Sequence, residues 1–300
     1  MTSMIGTNTV ECSKFLNLAL RGKKIPVERV AALNFEGEYA MKFVTHIDEQ
    51  IVSFLNANSK NFIIASKEYE KKLSVPHVLS ENPRLDFCRA ARKFFVRKVA
   101  AKIEKSAQIS DESTIGHDVS IGHNVVIERN VSIGNNTQIK HNVVIGENSR
   151  IGSNCLIKSG TIIGQKGFGF ERDADGVPVE FSHFGSVLIG NFVELGALNT
   201  VAAGALEDTI IEDFVKTDDH VHIAHNSLIG EKALVAACAE ISGSVMIGSQ
   251  TWIGPNSSII DKSSLGNQCF VGIGAVVTKS YESRSVVAGK PAKILRTSTN

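Results

Sequence analysis

The chain has 300 residues, 43% of them hydrophobic and 21% charged, with 32 Lys and Arg against 31 Asp and Glu. The length allows one large domain or two modest ones, and the hydrophobic fraction excludes disorder over most of it. A net charge of +1 excludes the basic footprint of a duplex-binding protein, and no apolar run approaches the roughly 18 residues of a membrane helix.

The opening stretch, MTSMIGTNTVECSK, lacks the basic-then-apolar pattern of a secretory leader. Five cysteines, an odd number without a CxxC pair, point to reduced thiols and a cytoplasmic setting. Phe62-Ile63-Ile64-Ala65 reads as a buried strand, and Asn82-Pro83 opens an amphipathic helix. Residues 1–100 therefore form a small α/β domain. Its 16 basic and 10 acidic residues suit either a solvated surface or attraction to an anionic ligand.

From Ile103 to Ile163 isoleucine recurs every six residues. The period returns at Ile189, Leu195 and Val201, and again from Ile211 to Val277. Neither a helical period nor simple alternation fits it. Three residues after each Ile of the early units stands Asp or Asn, from Asp118 through Asn154, residues that tolerate a left-handed backbone. Each unit is thus a short strand ending in a corner. Three units make a triangular coil of 18 residues, and stacked coils make three parallel sheets. This mainly β, parallel β-helix domain covers 101–280. An insertion at 165–186 carries Gly167-Phe168-Gly169-Phe170 and a polar turn, and about four extra residues fall within 202–210. A tail, 281–300, caps the domain and frays.

The densest titratable cluster is Asp218-Asp219-His220-Val221-His222-Ile223-Ala224-His225. With Ile223 inward, His220 and His222 are expected on one outward face, and His225 at the following corner. Alternate histidines can chelate a metal, and an imidazole can act as a general base. His117, His123 and His141 hold the same corner position, so a corner histidine can also be ordinary. One coil beyond His225 is Gly243. A base beside an unobstructed N–H is the minimum for acyl transfer, one group taking a proton and the other holding an oxyanion. Cys155 and Cys269 fall at small core positions.

The six-residue pattern resembles the hexapeptide-repeat, left-handed β-helix family, and the handedness rests on that resemblance. Gly167-Phe168-Gly169-Phe170, Ile189-Gly190, Gly204 through Ile211 and Ile223-Ala224-His225-Asn226, in that order, resemble the UDP-3-O-acylglucosamine N-acyltransferase family of lipid A synthesis. Lys42-Phe43-Val44 and Glu81-Asn82-Pro83 extend the likeness to the first domain. The resemblance implies His225 as general base, Asp218 as an orienting carboxylate and Gly243 as the oxyanion donor. Phe43 would stack on the nucleotide base, with His46, Phe168, Phe170 and Asn226 as further substrate contacts. His46 and Glu49 stand where that family has asparagine and tyrosine, and Lys262 falls near a second family histidine.

The ending, with Gly272, Gly274, Ala275 and Lys290, is similar to coenzyme A-dependent acyltransferases of nucleotide-linked amino sugars, where it lines the donor path. The expectation is an N-acyltransferase acting on a nucleotide-linked amino sugar for surface polysaccharide or lipopolysaccharide synthesis, with acyl-CoA or acyl carrier protein as donor. The alternatives are the lipid A substrate and a non-catalytic binding module. No metal or bound cofactor is implied; the zinc site of the similar γ-class carbonic anhydrases needs three histidines from neighbouring strands and subunits. A homotrimer is implied, with no nucleic acid and no transmembrane segment.

Overall fold

The computed structural model describes residues 6–46, 48–97 and 99–297. Two compact units divide at Lys98 and Val99.

The first unit is built on a four-stranded parallel sheet in the order Arg29–Val30, Ala40–Val44, Phe62–Ser66, His77–Ser80. Its helices are α1 (Thr9–Leu16), α2 (Glu49–Ala57) and α3 (Pro83–Phe94). Each begins at a polar cap: Asn8 Oδ1 accepts from the Val10 and Glu11 amides, Asp48 from Gln50 and Ile51, and Asn82 from Leu85. Pro83 follows Asn82 at the first helical turn, where its missing N–H is no loss. Alternation along the strands divides the core. Met41, Phe62 and Ile64 pack with Cys12 and Ala90, while Ile63 and Ala65 pack with Leu55 and Tyr69.

Lys42 is fully buried, and its ammonium donates to the carbonyls of Leu33 (3.2 Å) and Phe35. Burial pushes its pKa down. These bonds hold the 31–35 segment beside the next strand residue, Phe43. A cavity of about 410 Å³ opens there, lined by Leu33, Phe43, Thr45, His46 and Ile51.

The second unit is the β-helix, left-handed and parallel. Its three faces carry 11, 9 and 8 strands, beginning at Lys102–Ile103 (face 1), Gln108–Ile109 (face 2) and Thr114–Ile115 (face 3). In regular coils each residue pairs with the one 18 later, as Ile121 with Ile139 and Ile127 with Ile145. From Ile121 on the Ile column is buried, and so is the small residue two positions before it, as at Val125 and Val143. Each deeply buried Ile contributes roughly 2–3 kcal/mol of transfer free energy, which explains why so few aromatics suffice.

The corners are left-handed as expected, with φ of 56° to 61° from Asp118 to Asn154. Later coils place bulkier residues there, including Phe192 (57°), Phe214 (62°) and Lys262 (57°). A left-handed bulky residue costs about 1–2 kcal/mol. Phe192 and Phe214 offset part of it by stacking in parallel at 4.8 Å.

The insertion leaves after Ile162–Lys166, folds as an antiparallel hairpin of Phe170–Arg172 with Pro178–Glu180, and rejoins face 3 at Val187–Ile189. Asp173 Oδ1 closes its turn by accepting from the Asp175 (3.0 Å) and Val177 (2.9 Å) amides. The tail corrects the expectation of fraying: Ser285–Ala288 extends face 1 in parallel, and Lys293–Thr297 returns antiparallel along it. Residues 298–300 lie outside the described residues.

Candidate active site

His225 occupies the corner between faces 2 and 3, directly after the strand His222–Ile223. Its Nδ1 lies 3.0 Å from Asn226 Oδ1. That oxygen also accepts the Ala205 amide at 3.0 Å, which fixes the orientation of the Asn226 amide. Nδ1 therefore carries the proton, and Nε2 presents a lone pair.

At several other corners the first N–H is taken by the side chain one coil on. Asn135 Oδ1 takes that of His117 (3.0 Å), Asp219 Oδ1 that of Ala197 (2.7 Å), and Asn267 Oδ1 that of Ser249 (2.9 Å). One coil beyond His225 the residue is Gly243, which has no side chain to offer. A Cβ there would stand 2.7 Å from His225 Cε1 and 2.9 Å from Nε2. The glycine is what gives the imidazole its place, and its main chain lies against the reactive edge of the ring.

A cavity of about 1090 Å³ opens over this corner. Its floor is the outward side of face 2, Thr200, His222 and Glu240; the insertion forms the overhang, with Gly167, Phe168, Phe170 and His183. Phe168 and Phe170 meet edge to face at 5.1 Å, and Phe168 is 86% exposed.

Residues 130–165 match the family model described as bacterial transferase hexapeptide (six repeats). The fold is a left-handed β-helix built on a six-residue repeat. The chain is similar to the UDP-3-O-acylglucosamine N-acyltransferase of Delftia acidovorans, 35% identical over 42% of this chain and 37% of that protein. That of Campylobacter lari is 34% identical over 43% and 40%. The matched stretch spans less than half the length of these relatives. Among solved structures it is similar to the UDP-N-acetylglucosamine acyltransferases of Campylobacter jejuni (25% identity, TM-score 0.57) and Bacteroides fragilis (26%, 0.58). In both cases 64% of this chain and 73% of the other is covered.

The hexapeptide lattice gathers some expected residues and separates others. His225, Asn226, Gly243, Phe168 and Phe170 come together at one corner. Asp218 does not join them within the chain. It ends a face 1 strand, is exposed, and lines a separate depression with Glu194, Leu234 and Trp252. His220 and His222 do not share a strand face. His220 sits at a left-handed corner (φ 59°), whereas His222 lies on face 2 with Nδ1 2.6 Å from Thr200 Oγ1. Among the described residues, no three His, Cys, Asp or Glu side chains are grouped to hold a metal.

Phe43 and His46 line one cavity in the first unit, and Phe43 packs on Phe87 at 5.0 Å. In the last coil, Gly274 has a φ of 62°, and Lys290 Cε lies 3.9 Å from where its Cβ would be. Ala275 leaves the expected donor set: it is fully buried, its N–H bonds Gly272 O, and its carbonyl accepts from Ser258.

His183 was missed. It lies in the insertion, outside the six-residue period, so no coil arithmetic could place it. Its ring meets that of His225 edge to face at 5.3 Å. Being the lone histidine of that insertion was the available signal.

Proposed function

We propose that the chain is an N-acyltransferase that moves an acyl group from a thioester to the amine of a nucleotide-linked amino sugar. The observation that carries this reading is His225, its Nε2 lone pair fixed by Asn226 and its reactive edge laid against Gly243. Nε2 takes a proton from the acceptor amine as nitrogen attacks the thioester carbonyl. The Gly243 N–H steadies the oxyanion of the tetrahedral intermediate. The intermediate collapses, the C–S bond breaks, and the thiol leaves with a proton returned by the imidazolium. Phe43, in the first unit, supplies an aromatic face for the nucleotide base, with His46 at its edge.

The donor is acyl-CoA or an acyl carrier protein, and Gly272, Gly274 and Lys290 form its contact at the last coil. Leu234, Trp252 and Phe270 make an outward apolar ladder on face 1, with Trp252 and Phe270 stacked at 6.2 Å. A second copy of the chain covering it fits a homotrimer. In that assembly Asp218, exposed at the end of a face 1 strand, has its place in a neighbouring copy's site. Among the described residues no helix is long and apolar enough to cross a membrane, and a cytoplasmic site of action is part of this proposal.

The lipid A reading, a 3-O-acylated UDP-glucosamine acceptor, is favoured by the relatives' names and by the Phe168, Phe170 and Phe181 wall of the cavity, which suits a long acyl chain. Thiol release measured with short and hydroxylated acyl-CoAs and a long-chain acyl-carrier-protein donor, each against UDP- and dTDP-amino sugars, separates the two. Release with a short acyl-CoA and a simple amino sugar supports surface-polysaccharide synthesis. Release only with the carrier-protein donor and the 3-O-acylated acceptor supports lipid A synthesis. Ligand binding without thiol release from any pair would leave a binding module and sink the transferase reading.

A further inference from the structure

His183 belongs to no repeat, yet the fold spends several bonds on placing it. Its Nδ1 lies 2.9 Å from Phe181 O, so Nδ1 carries the proton and Nε2 is an acceptor. That Nε2 is buried and has no hydrogen-bond partner. Buried polar atoms normally find one, and an orphan beside a reactive group calls for a reason. Gly167 marks how close the two rings are. A Cβ on it would stand 2.9 Å from His183 Nε2 and 2.8 Å from His225 Cδ2, so only a glycine lets the insertion pass between them.

Both rings are also tied to one residue, Ala205. The Phe184 N–H donates to Ala205 O (2.6 Å), and the Ala205 N–H donates to Asn226 Oδ1, the atom that orients His225. Ser186 fastens the same segment through N and Oγ to Asp208 Oδ1, at 2.7 and 2.8 Å. The four extra residues of the second interruption therefore hold the insertion's histidine and the corner histidine in a fixed relation.

Resting on the thioester-transfer reading, we propose that His183 is a positioning residue for His225, a neutral imidazole held edge to face against it to favour its positively charged state. In the resting site His183 Nε2 has no partner. When His225 takes the proton from the attacking amine it becomes a cation, and the unpartnered Nε2 lone pair of His183 beside it attracts it. The attraction counts because the cavity interior screens charge poorly. His183 exchanges no proton and forms no bond with substrate; it lowers the energy of a charge carried by its neighbour.

The test uses the full chain with His183→Phe, which keeps a ring but no lone pair, and His183→Gln, which restores an acceptor. With a thioester and amino-sugar pair that the wild type turns over, His183→Phe is expected to lower kcat about tenfold or more with KM nearly unchanged, and His183→Gln to recover part of it. A second readout needs no substrate. Carbethoxylation of His225 by diethyl pyrocarbonate, followed by peptide mass spectrometry, also builds positive charge on that ring. It should slow severalfold in His183→Phe and recover in His183→Gln. If no donor pair is turned over, the transferase reading fails, while the carbethoxylation rates still decide the pairing. Wild-type carbethoxylation in a folded His183→Phe variant overturns the proposal. So does a loss that His183→Gln leaves unrepaired, since that would be packing alone.

Discussion

Two histidines hold equivalent corner positions in the β-helix and end in opposite circumstances. His123, in the regular coils, has His141 one coil on. Its N–H is taken by His141 Nδ1 at 2.9 Å, the two rings stack at 5.4 Å, and Glu104 stands 3.8 Å from its Nε2. His225, beyond the second interruption, has Gly243 one coil on and an insertion overhead. A repeat can satisfy itself: at a corner such as that of His123 the group finds its copy in the next coil. Chemistry becomes possible where the copy is missing and the freed group faces a cavity rather than bulk water.

The strongest way to break this comparison is to remove each imidazole in turn. His225→Ala should lower turnover by about 100-fold or more with thermal stability unchanged, as expected for loss of a general base. His123→Ala should leave turnover as it was. Equal effects on turnover would mean that the gap at Gly243 has no catalytic consequence.

Restoring the missing side chain is the next largest perturbation. Gly243→Ala puts a methyl group 2.7 Å from His225 Cε1, and the ring must turn away. Misplacing a reacting group by about 1 Å can cost a hundredfold, so kcat should fall tenfold or more. Gly248→Ala, at another corner of the same domain, crowds only main chain and the Asn267 side chain and is the control for general damage to the lattice. If both variants lose activity in proportion to stability, the effect belongs to the fold.

Phe43 sharpens the comparison from the other unit. Its ring is half-buried against Phe87 and lines the 410 Å³ cavity. Stacking contacts are worth about 0.5–1.5 kcal/mol, so Phe43→Ala should raise the nucleotide-sugar KM roughly twofold to tenfold and leave kcat nearly unchanged. An unchanged KM would remove the base-stacking role.

Much of this was legible in the sequence because the β-helix is nearly one-dimensional. Ile127 pairs with Ile145 because each coil repeats the last, so addition of 18 predicts neighbours. That arithmetic placed Gly243 beside His225. It failed where the period fails. His183 sits in the insertion, and Ala205, which ties both histidines, sits in the four-residue interruption. Neither position follows from counting. Asp218 shows the converse: seven residues from His225 in sequence, it lies beyond the intervening face 2 strand, His222–Ile223, because a corner separates them. The tail misled for another reason. Its strands Ser285–Ala288 and Lys293–Thr297 carry no isoleucine period, and they form because face 1 offers an unpaired edge.

The smallest expected effect concerns a third histidine, which separates an unpartnered imidazole at a site from one in a core. His77, in the first unit, is buried; its Nδ1 bonds Val75 O at 2.7 Å and its Nε2 is also without a partner. Burial lowers its pKa, and the charge of Arg21 adds to that, while the bond to Val75 opposes it. The folded state therefore holds His77 neutral, whereas the unfolded chain protonates it below about 6.5. Stability is complete above that pH and is lost as pH falls through it. Hydrogen exchange of the adjoining strand, 62–66, corrected for intrinsic rates, should show less protection at pH 5.5 than at pH 7.5. His77→Gln should flatten that dependence without touching turnover. A flat profile in the wild type would mean that protonated His77 finds a partner in the fold. The lone nitrogen would then distinguish His183 from an ordinary core histidine less sharply than its contact with His225 does.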